Sequence, residues 1–156
     1  RHGTTSLFAA LNVATGHVIG TCHQRHRQQE FVKFLDHIDQ SIPETPGETI
    51  HIVMDNYATH KTARVQRWLA KRPRYQVHFT PTSASWLNQV ERFFAEITQK
   101  RIRRSAFRSV QSLKKAIHSY LDQHNENPRP FKWTADADLI LNRVANVCKR
   151  INNSGH

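Results

Sequence analysis

The sequence predicts an α/β fold, a mixed sheet flanked by helices. Three observations carry this. Short apolar runs of strand length alternate with stripes at helical spacing, a glycine turn joins the first two strands, and the segments fall in the order β-β-α-β-α-β-α-α-α. The chain has 156 residues, the size of a single domain, and its 38% hydrophobic content suffices for one core at that length. No internal repeat or low-complexity tract interrupts it.

The opening stretch SLFAALNVATGHVIGT reads as a hairpin. Leu7, Phe8, Leu11 and Val13 lead into Ala14-Thr15-Gly16, Val18 and Ile19 lead out, and Gly16 supplies the permissive turn position. From Gln28 to Ile42 the period changes. Phe31, Phe34, Leu35, Ile38 and Ile42 form an amphipathic stripe, and Pro43, Pro46 and Gly47 end it in a loop. Ile50 to Met54 is a short apolar run, expected to be a strand buried on both faces. Val65, Trp68 and Leu69 mark a second helix that stops before Pro73.

Tyr75, Val77 and Phe79 alternate on one face of a half-exposed strand ending at Pro81. Leu87, Val90, Phe94 and Ile97 give a third helix. Arg101 falls on the same stripe, which predicts an end or bend near Lys100. Val110, Leu113, Ile117, Tyr120 and Leu121 mark a fourth helix with Ser109 as its N-cap. Pro128 and Pro130 break it. A last helix is expected from near Thr134 through Leu139, Ile140, Val144 and Val147, with Asp136 and Asp138 in its first turn. Trp68 and Trp133 read as core or semi-core.

Charge narrows the function classes. Lys and Arg number 23 against 12 Asp and Glu, a formal net charge of +11. Such an excess draws polyanions, and DNA or RNA is the usual partner. No apolar stretch approaches the roughly 20 residues of a membrane span, and no signal-peptide pattern is present. Cys22 and Cys148 are too few for a disulfide framework and read as free thiols in a reducing cytoplasm. The stretch CHQRH, Cys22 to His26, lacks a second ligand pair at zinc-finger spacing.

Two carboxylates stand out. Asp55 ends the apolar run HIVM, at the carboxyl end of an inner strand, where ligand sites of open α/β sheets lie. Glu91 lies early in the third helix beside the Leu87–Phe94 stripe, whereas Glu96 lies nearly opposite. Glu91 is therefore expected to border the core and Glu96 to face water. Two carboxylates at one sheet edge suit Mg²⁺ or Mn²⁺, which take oxygen ligands and leave room for phosphate. A turn cap at Asp55 and dipole compensation at Glu91 explain the same residues, and spacing leaves both readings open.

QKRIRRSAFR packs Lys100, Arg101, Arg103, Arg104 and Arg108 into nine positions, which suits a phosphate grip better than a core. Arg25, Arg27, Arg64, Arg67, Lys71, Arg72 and Arg74 form a looser second supply. Trp86, at a loop-to-helix junction, suits packing better than stacking on a base.

HIVMDNYATHK, VHFTPTSASWLNQVERFFAEITQKRIRR and NENPRPFKW together resemble the catalytic core of bacterial insertion-sequence transposases, the mariner-related group of the DDE superfamily. The resemblance covers nearly the whole chain, read as one partial core over residues 1–156. It implies a ribonuclease-H-like fold of the retroviral integrase type and a triad of two Asp and one Glu holding two Mg²⁺ or Mn²⁺ ions. By that resemblance Asp55 is the second acid and Glu91 the third, with Asn56, His60 and Asn88 supporting the site. It implies cleavage at transposon ends followed by attack of the freed 3′-hydroxyl on target DNA, by a homodimer in the bacterial cytoplasm at the nucleoid. No covalent protein intermediate is implied, so Ser83, Ser85 and Tyr57 are not nucleophiles.

The chain departs from that pattern at its start. The triad's first acid belongs on a strand before the hairpin, yet no Asp or Glu precedes Glu30. Glu30, Asp36 and Asp39 fall on a helix instead. The sequence begins on Arg1 rather than Met, so it is expected to be part of something longer, lacking the first strand and the preceding helix-turn-helix domain, and inactive alone. Two rival readings remain: a DNA-binding remnant without chemistry, and a structure-selective nuclease of ribonuclease-H-like fold.

Overall fold

The computed structural model of the chain describes residues 3–80 and 89–130. Strands β1 (Ser6–Leu11) and β2 (Val18–His23) form an antiparallel hairpin in register from Ser6↔His23 to Leu11↔Val18. The Asn12 side chain accepts hydrogen bonds from the amides of Ala14 and Thr15 and so closes the turn. Gly16 follows at φ +79°, and a Cβ there would stand 2.1 Å from the carbonyl oxygen of Arg129. Both facts require glycine.

Helix α1 (Gln28–Ser41) opens on a capping box in which Glu30 reaches back to the Arg27 amide and guanidinium. The Arg27 contact holds the Glu30 carboxyl down to about 2. Strand β3 (Ile50–Met54), a single turn of 3-10 helix (Ala58–Lys61), helix α2 (Ala63–Ala70) and strand β4 (Tyr75–Phe79) follow. β3 and β4 pair in parallel from Ile50↔Tyr75 to Met54↔Phe79, the crossover that a helical connection permits. Helix α3 (Gln89–Ile97) runs into a π-helical turn (Thr98–Ile102), then helix α4 (Val110–Glu126). The bend expected near Lys100 is that π turn. The Ser109 side chain accepts from the Ser112 amide, so the expected cap is present.

Strand alternation divides the core in two. On one face of the hairpin Phe8, Ala10 and Ile19 meet Phe31, Phe34, Leu35 and Ile38 of α1, joined by Met54, Val65, Trp68 and Tyr75. On the other face Leu7, Ala9, Leu11, Val18 and Cys22 meet Phe93 and Ile97 of α3 and Ile117 and Leu121 of α4. Each fully buried Val, Leu, Ile, Phe or Met among them is worth about 1.5–3 kcal/mol, and Leu7, Ala9, Ala10, Leu11, Ile19 and Cys22 are only partly buried. The hairpin is thus the middle layer of an α/β/α arrangement.

An ionic brace ties α1 to the parallel pair. Asp39 accepts from Arg72, Arg74 and the Tyr75 hydroxyl, while Asp36 accepts from the Trp68 indole at 2.7 Å. Partial burial works against charge on Asp39, but the bonds from Arg74, Tyr75 and Arg72 prevail and hold its carboxyl down to about 2. Burial and the same carboxylate push the Tyr75 hydroxyl up to about 12.

The outer edge of β2 is capped by a side chain. Asn125 of α4 accepts from the Val18 amide at 2.9 Å and donates to the Val18 carbonyl at 2.8 Å. His124 contacts the Gly16 carbonyl at 2.7 Å.

Several expectations need correction. The strands form two separate two-stranded sheets, β1–β2 and β3–β4, rather than one mixed sheet, among the described residues. β3 is buried on one face only: His51 and Val53 are exposed, Val53 at 52%. Phe93, outside the expected α3 stripe, is fully buried while Phe94 is half-buried, which turns the helix from its expected orientation. Val13 lies in the hairpin turn. Asn88, Ser83, Ser85, Trp86, Trp133, Cys148 and the helix expected from Thr134 lie outside the described residues.

Candidate functional site

β3 delivers Asp55 at its carboxyl end. The backbone then turns through Asn56 and Tyr57 into the 3-10 turn that carries His60. The turn returns His60 to Asp55: its Nδ1 lies 2.8 Å from the carboxylate Oδ1 and 3.2 Å from the residue's own carbonyl oxygen. Only the carbonyl contact has hydrogen-bond geometry. Oδ1 is therefore buried without an aimed donor, although the side chain as a whole is 48% exposed. A buried carboxylate oxygen with no donor is costly by itself and suits a cation. Asn56 is exposed beside it.

His60 is itself held by packing. Its ring lies 4.3 Å from that of buried Phe31, and Tyr57 and His26 stand nearby at 5.8 and 6.4 Å between centroids. His26 in turn stacks on Phe8. Nothing in the spacing of His26, Tyr57 and His60 foretold this cluster, because it joins the hairpin exit, α1 and the β3 loop across the fold.

Glu91 occupies the first turn of α3. It is exposed rather than set against the core, because the rotation that buries Phe93 swings it outward. α3 packs on β1, the strand of the other sheet. Glu96 is half-buried and sits 3.6 Å from Lys100. Among the described residues no hydrogen bond joins Asp55 to Glu91, and no group of three or more His, Cys, Asp and Glu converges as metal ligands.

The cationic residues sort into two sets. Arg101 lies in the π turn and Arg103, Arg104 and Arg108 follow it, all exposed and, among the described residues, free of ion pairs; Lys100 is 62% exposed on its side chain. The looser supply is largely spent on structure. Arg27 binds Glu30, and Arg72 and Arg74 bind Asp36 and Asp39. Arg25, Arg64, Arg67 and Lys71 stay exposed.

Cys22 and His23 point to opposite faces of β2. The thiol packs toward α3 and α4, where burial pushes its pKa up, and His23 lies edge-on to Phe8. The zinc hint in CHQRH therefore has no convergent geometry.

The sequence model described as DDE superfamily endonuclease matches residues 1–114. The chain is also similar to the "Insertion element IS630 uncharacterized 39 kDa protein" of Shigella sonnei, 26% identical over 116 residues. That alignment covers 74% of this chain and 33% of the relative, so the chain spans about a third of the length of the curated protein it matches.

Proposed function

The chain belongs to the DDE superfamily of endonucleases, and from that premise we propose that it serves DNA transposition through metal-dependent cleavage and strand transfer at the ends of an insertion sequence. The observation that carries this reading is the Oδ1 of Asp55, buried without an aimed donor at the carboxyl end of β3. In this reading Asp55 and Glu91 hold Mg²⁺ or Mn²⁺, two ions in the complete site, and Asn56, His60 and Asn88 support them. When bound, the metal pair supplies an activated water, charge relief at phosphorus and a stabilised leaving oxygen.

This chain's own residues do the rest. His60 fixes the loop that presents Asp55. Lys100, Arg101, Arg103, Arg104 and Arg108 grip the phosphate backbone and set its register. The antiparallel hairpin, the parallel pair and helices on both sides of the hairpin are compatible with a ribonuclease-H-like sheet. In that arrangement a strand bearing the first acid lies between β1 and β3. The resemblance to mariner-related transposases further implies a homodimer acting on two DNA ends in the bacterial cytoplasm at the nucleoid.

The test is Mn²⁺ binding to this chain, followed by electron paramagnetic resonance. Binding should disappear in Asp55→Ala and weaken in Glu91→Gln. Equal binding in all three proteins removes the metal reading.

A second reading, a DNA-binding remnant without chemistry, is favoured by one observation: Glu91 is exposed on α3, which packs on β1 rather than on the sheet that leads to Asp55. On that account residues 1–156 alone bind DNA without cutting it. Mn²⁺-dependent nicking abolished by Asp55→Ala would overturn the remnant reading.

A further inference from the structure

A ladder of five rings runs from the core to the surface beside Asp55. Phe8 and Phe31 are buried at its base. His26 stacks on Phe8 at 4.6 Å with the planes 2° apart, and His60 lies against Phe31. Both imidazoles meet Tyr57 steeply, His26 at 5.4 Å and 63°, His60 at 5.8 Å and 70°. Tyr57 nonetheless remains 52% exposed. Two flanking rings narrow the rotations open to it, which lowers the entropy a stacked ligand must offset.

An exposed aromatic ring flanked by two imidazoles, two residues beyond a carboxylate suited to a cation, on a chain of net charge +11, has a specific chemical complement. Every nucleobase offers a π face, and an aromatic side chain stacks on it without regard to sequence. Bases inside a duplex hide that face, so the complement is an unpaired base. Exposed Lys61 and Arg25, on the two chain segments that meet here, supply cations for the adjoining phosphates.

We infer that Tyr57 is a stacking platform for a single unpaired nucleobase next to the phosphate at Asp55, which makes it a positioning residue. This rests on the proposed DNA-processing role of the same site. The ring acts, not the hydroxyl, and no bond to tyrosine forms.

The experiment uses a single-stranded oligonucleotide carrying 2-aminopurine and a duplex of the same sequence, both in metal-free buffer. Wild type and Tyr57→Phe should quench the probe and bind the single strand alike, and Tyr57→Trp should bind at least as well. Tyr57→Ala should abolish quenching and weaken single-strand binding roughly five- to hundredfold, with duplex binding unchanged. Circular dichroism checks that each variant is folded. Equal single-strand binding by wild type and Tyr57→Ala overturns the inference, and so does a Tyr57→Phe variant as weak as Tyr57→Ala. If duplex binding persists in that case, only the stacking role fails. If wild type binds neither DNA, the proposed function fails with it.

Discussion

His60 Nδ1 stands 2.8 Å from the Oδ1 of Asp55 while donating toward the same residue's carbonyl oxygen. The imidazole thereby anchors the main chain of the acid and lies against its side chain. Neighbours that orient a metal-binding carboxylate set much of its affinity. His60→Ala should therefore weaken Mn²⁺ binding by about tenfold, read by paramagnetic resonance titration. An affinity equal to wild type makes His60 a packing residue only.

Asp39 should govern stability in acid. Its folded-state carboxyl titrates at about 2, below the ordinary carboxylate. The unfolded chain therefore takes up the proton first. The stabilisation is complete above roughly pH 4 and is lost as pH falls through the folded-state value. Asp39→Asn should unfold more readily than wild type at pH 7 in urea. The gap between the two should narrow towards pH 2. A constant gap across that range contradicts the assignment.

Arg103 and Arg104 are exposed and free of ion pairs among the described residues. Replacing both with Ala should lower the slope of log affinity against log salt for duplex DNA by about 2. Fluorescence anisotropy at several salt concentrations measures it. An unchanged slope rules these two out as phosphate contacts.

Gly16→Ala should cost about 1–3 kcal/mol, since the new methyl meets both a positive φ and a neighbouring backbone. Gly20→Ala is the control. Its Cβ would come closest to the tip of the Leu121 side chain, at 2.6 Å, with the Phe8 carbonyl oxygen and Leu7 Cδ1 at 3.5 and 3.6 Å, and a side chain yields more readily than a backbone. Thermal unfolding should therefore rank Gly16→Ala as the less stable of the two. The reverse order would mean that the contact between the turn and Arg129 does not hold the hairpin.

Local pattern was legible in the sequence, and assembly was not. The α1 stripe was readable because Phe31, Phe34, Leu35 and Ile38 repeat at the helical period and all turn out to be buried. Ser109 was readable because an N-cap needs only its own helix. Adjacent Phe93 and Phe94 fit two wheels about 100° apart, and the packing of α3 on β1 chose between them. That choice also decided where Glu91 faces. Val53 misled because an apolar residue does not reveal whether its side of a strand will be covered. The role of Arg72 and Arg74 as braces was hidden, since Asp39 lies over 30 positions away. Asp55 was legible as an acid at a strand end. The orphaned state of its Oδ1 depends on how His60 returns, which only three dimensions reveal.

The carboxamide of Asn125 mimics a peptide unit at the free margin of β2, taking the place where a stranger's backbone could otherwise zip on. Hydrolysis of that one amide to a carboxylate would delete the donor to the Val18 carbonyl and leave the rung half open. Protection of this one edge of β2 thus depends on the chemical lifetime of a single side chain, and an aged sample should lose the Asn125 cap before it unfolds.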